Sequence, residues 1–139
     1  MNHQRSPHDI EAWVRHHYTR GADALDVDGF MSGLSRDVVL TTPDTTVTGY
    51  DAVRANATQL FSMLTSLTHH LHHVAVPDND HAVVEANVTY RFRNGNTLTL
   101  PTTTTFRFDG DHARTIHLDI DTHAIAAAIG EPTEGPERR

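Results

Sequence analysis

The chain has 139 residues, enough for one domain with its own apolar core. It contains no cysteine, and all 11 of its Lys+Arg residues are arginine. Disulfides, thiolate nucleophiles, cysteine-type zinc sites, Schiff-base lysines and phosphate-cradling P-loop lysines are therefore excluded. The formal net charge of -7 and a pI near 5.9 argue against a nucleic-acid partner, whose footprint would be a basic stripe.

The opening residues lack the apolar core of a signal peptide, and no apolar run approaches membrane-spanning length. The expectation is a soluble cytoplasmic protein with no membrane partner. Ser6-Pro7 with Asp9 reads as a helix start, with Ser at the N-cap and Pro at the first helical position. Ile10, Trp13, Val14, His17, Tyr18, Gly21 and Leu25 follow at the spacing of one helical face, which carries helix one to about Ala22. The acidic stretch from Asp23 to Phe30 suits a bend, with Asp26 or Asp28 capping a short second helix.

Asp37 to Thr42 and Thr45 to Thr48 are β-branched strands joined at Pro43-Asp44. Gly49-Tyr50-Asp51 opens a helix from Ala52 to about Ser66, with Val53, Ala57, Leu60, Phe61 and Leu64 as its buried stripe. Strands then dominate. Thr68 to Val76 precedes Ala82 to Arg93, in which Val84, Ala86, Val88, Tyr90 and Phe92 alternate with polar residues. Asn94-Gly95-Asn96 is a hairpin turn into Thr97 to Phe108, and Asp109-Gly110-Asp111 turns the chain into Ala113 to Asp121. Thr122 to Ile129 forms a last short helix, and residues 131–139 read as a flexible tail after a domain spanning 1–130. The expected fold class is α+β: a cone-shaped, curved antiparallel sheet wrapped around N-terminal helices, with an interior pocket.

Thr68-His-His-Leu-His-His-Val-Ala-Val76 is the chemically richest stretch. Strict alternation puts His70, His72, Val74 and Val76 on one face. An inward His70 is then a candidate proton carrier, with Asp23 or Tyr18 as its partner. Polar residues on a sheet edge or dimer surface are the plain alternative. His70 and His72, about 7 Å apart on one face, could also converge on a metal, but no short-spaced Glu and no Cys completes a ligand set.

Tyr18, the stretch from Asp23 to Phe30, Asp37-Val-Val-Leu40, Val47-Thr-Gly49-Tyr50-Asp51, Thr68-His-His70 and Phe106-Arg-Phe108-Asp-Gly110 up to Asp121 together resemble the SnoaL-like members of the nuclear transport factor two-like superfamily. Ketosteroid isomerases and scytalone dehydratases are related to them. The resemblance runs from helix one to Ile129. It implies that Tyr18 stands where the isomerases keep an oxyanion donor, while Thr42 and Thr104 stand where they keep a carboxylate base and a second donor. It also places Asp23 and His70 at an acid and one of two catalytic histidines of scytalone dehydratase.

What the resemblance implies for function is a cyclase, dehydratase or isomerase moving protons on an apolar, oxygenated, polyketide-like or steroid-like small molecule. No cofactor and no metal belong to that expectation. Its catalytic set is His70, Asp23 and Tyr18, and its substrate wall His72, Thr42, Tyr50, Val88, Tyr90, Thr104, Phe106 and Leu118. A homodimer is implied as well. The competing expectation is a non-catalytic binding or dimerisation module of the same fold.

Overall fold

A computed structural model of the chain describes residues 6–130. The expected tail, 131–139, lies outside them. Helix α1 spans Pro7–His17 and begins as the sequence predicts, with the Ser6 side chain accepting from the Asp9 amide at 3.1 Å. A π-helical turn, Tyr18–Ala22, prolongs it, and α2 (Val27–Met31) follows with Asp26 as its cap. Asp28 does not cap but pairs with Arg54.

The strands are β1 (Leu34–Thr42), β2 (Thr45–Thr48), β3 (Leu64–Asp78), β4 (His81–Phe92), β5 (Thr97–Asp109) and β6 (His112–Asp119). Helix α3 (Tyr50–Ser62) lies between β2 and β3, and α4 (Thr122–Gly130) comes last. The helix expected to reach Ser66 ends four residues earlier. Leu64 is wholly buried, but as an inward residue of β3 rather than of a helical stripe. An apolar residue at a helix–strand junction satisfies either pattern, and tertiary burial decides.

The six strands form one curved, unclosed sheet in the order β2-β1-β6-β5-β4-β3. All neighbours are antiparallel except β1 and β6, which run parallel. The expected sheet therefore acquires one parallel pair, made because the last strand returns beside the first long one. Alternation holds throughout β4, where Ala82, Val84, Ala86, Val88, Tyr90 and Phe92 are buried on one face. These residues pack with Ile10 and Val14 of α1, Val53 and Phe61 of α3 and Phe106 of β5 into the core. Burial of such side chains contributes roughly 1.5–3 kcal/mol each before entropy is counted. Core and helices leave an unfilled hollow between them. No helix among the described residues is long and apolar enough to cross a membrane.

Candidate functional site

The hollow has a volume of about 430 Å³. Leu40, Leu67, Phe106, Ile116, Leu118 and Ile120 make its inner wall apolar. The exposed side chains of Asp44, Thr45, Asn56 and Gln59 make its mouth polar. A ligand with a greasy body fits this distribution, because apolar surface gains by leaving water while a polar end loses little at a wet mouth.

Two local irregularities set the chemistry inside. The first is the π turn after α1. The Asp23 amide donates to the Tyr18 carbonyl at 2.8 Å, an i→i+5 bond that brings Asp23 back round to the side of Tyr18. On an uninterrupted α-helix, five residues at about 100° each would leave Asp23 roughly 140° away. Two glycines let α2 press against this turn. A Cβ on Gly29 would stand 2.2 Å from the Arg20 carbonyl oxygen, and one on Gly21 would stand 2.7 Å from the Phe30 Cα. Neither position has room for a side chain.

The second irregularity is a β-bulge in β3. Leu67, His69 and Leu71 pair with Tyr90, Val88 and Ala86 of β4, after which the register slips and Val74 pairs with Val84. His72 is the extra residue, so the facing parity changes there. Counting by twos back from Val74 and Val76 therefore gives the wrong face for the stretch from Ser66 to Leu71, up to a second register shift that follows Leu64. The structure corrects the expected placement: His70 is exposed on the outer face, opposite Asn87, and His69 points inward.

His69 meets Asp23 at two points. Its ring Nδ1 lies 2.6 Å from Asp23 Oδ1, and its backbone N–H donates to Asp23 Oδ2 at 3.0 Å. The His69 side chain is 12% exposed and that of Asp23 24%. A carboxylate can only accept, so Nδ1 carries a proton, and in the neutral ring of this cavity-lining residue Nε2 keeps its lone pair. A partly buried imidazole oriented in this way has the geometry that general-base chemistry requires.

Tyr18 lies against it, with ring centroids 4.4 Å apart. Burial, opposed by a side-chain hydrogen bond with Thr104, pushes the Tyr18 hydroxyl above its ordinary range, so it stays protonated. Burial also pushes Tyr90 up to about 12. The two tyrosines are hydrogen-bond groups at neutral pH, not phenolates.

Of the expected wall, Tyr18, Thr42, Tyr90, Thr104, Phe106 and Leu118 line the cavity. Tyr50 and Val88 do not. Tyr50 opens α3 beneath the Arg36 guanidinium, and Val88 is packed solid in the core. His72 is exposed and borders a separate hollow on the outer side of the sheet, with Glu85, Asn87, Thr103 and Asp119. Asp121, which the resemblance picked out, is exposed and accepts from the Ala124 amide at the start of α4. His17 also lines the cavity. Its place on the buried stripe of helix one is visible in the sequence, but nothing there marks it as a cavity residue.

A family model described as SnoaL-like domain matches residues 14–115. None of the curated proteins matches the chain. Among solved structures, an NTF2-like protein of unknown function from Burkholderia pseudomallei superposes with a TM-score of 0.77 at 22% identity, over 91% of this chain and 100% of that one. A predicted SnoaL-like polyketide cyclase from Jannaschia sp. CCS1 gives 0.69 at 22% identity, over 93% and 98%. An LEH-like epoxide hydrolase from M. tuberculosis gives 0.70 at 11% identity, over 85% and 86%. At these identities the likeness is one of fold.

Proposed function

Because the chain belongs to the SnoaL-like domain family, we propose that it is an enzyme performing acid–base proton transfer on an apolar, oxygenated small molecule held in the cavity. The observation that carries this is the His69–Asp23 contact at 2.6 Å on the wall of an apolar hollow. In the first step, His69 Nε2 takes a proton from a carbon next to a carbonyl. The C–H electron pair becomes a C=C bond, and the carbonyl π pair moves onto oxygen. Asp23 steadies the imidazolium that forms, and the low dielectric of the cavity strengthens that attraction. The imidazolium then gives the proton back: to another carbon of the enolate in an isomerisation, to a β-hydroxyl that leaves as water in a dehydration, or to the alkoxide formed when the enolate carbon bonds to a second carbonyl carbon in a cyclisation.

The experiment is deuterium exchange at the α-carbons of 2-tetralone in D2O, followed by proton NMR, because it reads the first step whatever follows. Protein should exceed the buffer rate. His69→Ala should lose about 100-fold or more of that excess, while His70→Ala should stay within about 2-fold, since His70 is on the outside. Equal effects of the two variants would remove the dyad from the mechanism. A second reading, a ligand-binding module without catalysis, draws support from Thr42, which puts a hydroxyl where the related isomerases carry a carboxylate. It predicts tight binding with no exchange above buffer.

A further inference from the structure

The proposed proton transfer leaves a second cavity imidazole without a role. His17 ends α1 and is 4% exposed. Aromatic rings enclose it: Trp13 stacks on it at 5.1 Å and 9°, and Phe30, Tyr18 and Phe106 stand at 4.8, 5.5 and 5.5 Å. Its Nδ1 is buried, and among the described residues it is the buried side-chain polar atom that lacks a hydrogen-bond partner. Buried polar groups are nearly always paired, and a sealed N–H with no acceptor is rarer than an unfilled lone pair. The proton therefore belongs on Nε2, the polar ring atom left to meet the cavity that His17 lines. Burial, and then the neighbouring His69 and His16, hold the ring's pKa down to about 3, so it is neutral where the protein works.

A neutral N–H donor suits an uncharged acceptor oxygen. It cannot compensate the burial of an anion, no arginine lines this cavity among the described residues, and Asp44 stands at the mouth. We propose that His17 is the specificity-determining contact of the cavity: its Nε2–H donates to the carbonyl oxygen of a neutral, apolar ketone. This rests on the cavity being the ligand site, as in the reading above, but not on the dyad's chemistry. Where both hold, the carbonyl that His17 grips is the one whose neighbouring carbon His69 deprotonates. A neutral imidazole then polarises the carbonyl while another imidazole takes the proton.

The test compares 2-acetonaphthone with 2-ethylnaphthalene, which has a similar shape and no acceptor, and with 2-naphthoate. In the full chain with 15N-labelled histidine, His17 should show the Nε2–H tautomer unchanged from pH 5 to 8, and its Nε2–H signal should move with the ketone only. Titration calorimetry should give a ketone affinity at least about 10-fold above the hydrocarbon and above the naphthoate. His17→Phe should bring ketone and hydrocarbon within about 3-fold, and His17→Gln, which restores a donor, should recover part of the preference. An Nδ1–H tautomer, a titration near pH 6.5, tighter naphthoate binding, or no ketone preference in the wild type overturns the assignment. The spectra decide it even if a variant fails to fold. A ketone preference through His17 with no deuterium exchange on 2-tetralone sustains this assignment and removes the proton-transfer reading. Exchange without that preference does the reverse.

Discussion

His69 on β3 and His17 at the end of α1 line the same cavity, yet their surroundings differ in almost every term. His69 has a carboxylate 2.6 Å from one ring nitrogen and a backbone amide tied to the same carboxylate. His17 has aromatic carbon on most sides and a ring nitrogen with no partner. In the proposed chemistry the first environment suits an imidazole that accepts a proton, and the second one that stays neutral and donates. Identical side chains thus acquire opposite uses from their neighbours alone. The residues joining the two walls are few: the π turn begins where His17 ends and delivers Asp23 to His69.

The two walls differ most in their dependence on Asp23. Asp23→Ala removes both acceptors from His69 and should lower 2-tetralone exchange about 100-fold, near 2.7 kcal/mol of barrier. Affinity for 2-acetonaphthone should stay within about 3-fold, because the His17 wall is untouched. Undiminished exchange in that variant would mean that the two histidines are less different than their geometry implies.

Acid sharpens the other side. Imidazole in the unfolded chain titrates near its ordinary 6.5, and His17 in the fold near 3. Between these values the unfolded state holds the extra proton, so this contribution to stability is complete above 6.5 and is lost as pH falls towards 3. At pH 4.5 the loss is roughly 2.5 kcal/mol. His17→Phe should not incur it, so the difference in unfolding free energy between wild type and variant, measured by urea denaturation, should shift in the variant's favour by about that much between pH 7 and 4.5. The other titratable groups beside His17, namely His69, His16 and Tyr18, are common to both proteins. A constant gap would show that His17 gains a proton in the folded state.

The junction between the walls should respond more mildly. Gly29→Ala sets a methyl group 2.2 Å from the Arg20 carbonyl, so α2 must retreat from the π turn. A stability loss of about 2 kcal/mol by urea denaturation is expected. Exchange should fall more than ketone binding does, since the turn aims Asp23 and not His17.

Much of this architecture is readable in the chain, and the exceptions have physical causes. β4 reads correctly because nothing interrupts its alternation from Ala82 to Phe92. β3 misleads because a bulge falls at His72, with no glycine or proline to mark it, and that one unpaired residue turns the side chains from Ser66 to Leu71 to the opposite face. That is why the expected meeting of Asp23 and Tyr18 with a histidine is present in the structure but is made by His69 instead of His70. The parallel pairing of β1 with β6 depends on where distant strands come to rest, which no local pattern encodes. His17 is legible as buried from its helical spacing, but its orphaned nitrogen appears only once Phe30 and Phe106 arrive from other elements.

Helix α4 contributes Ile125 and Ile129 to the cavity, yet none of its residues is fully buried. Side-chain amides of Asn94 and Asn96, on the β4–β5 turn, hold the Ala128 carbonyl at 2.9 Å each. Each such bond is worth about 1 kcal/mol net. Detaching α4 alone would forfeit these bonds, the Thr122–Asp44 hydrogen bond and the partial cover of Ile125 and Ile129 but none of the fully buried core, so the outer wall of the hollow is the part of the domain least costly to displace.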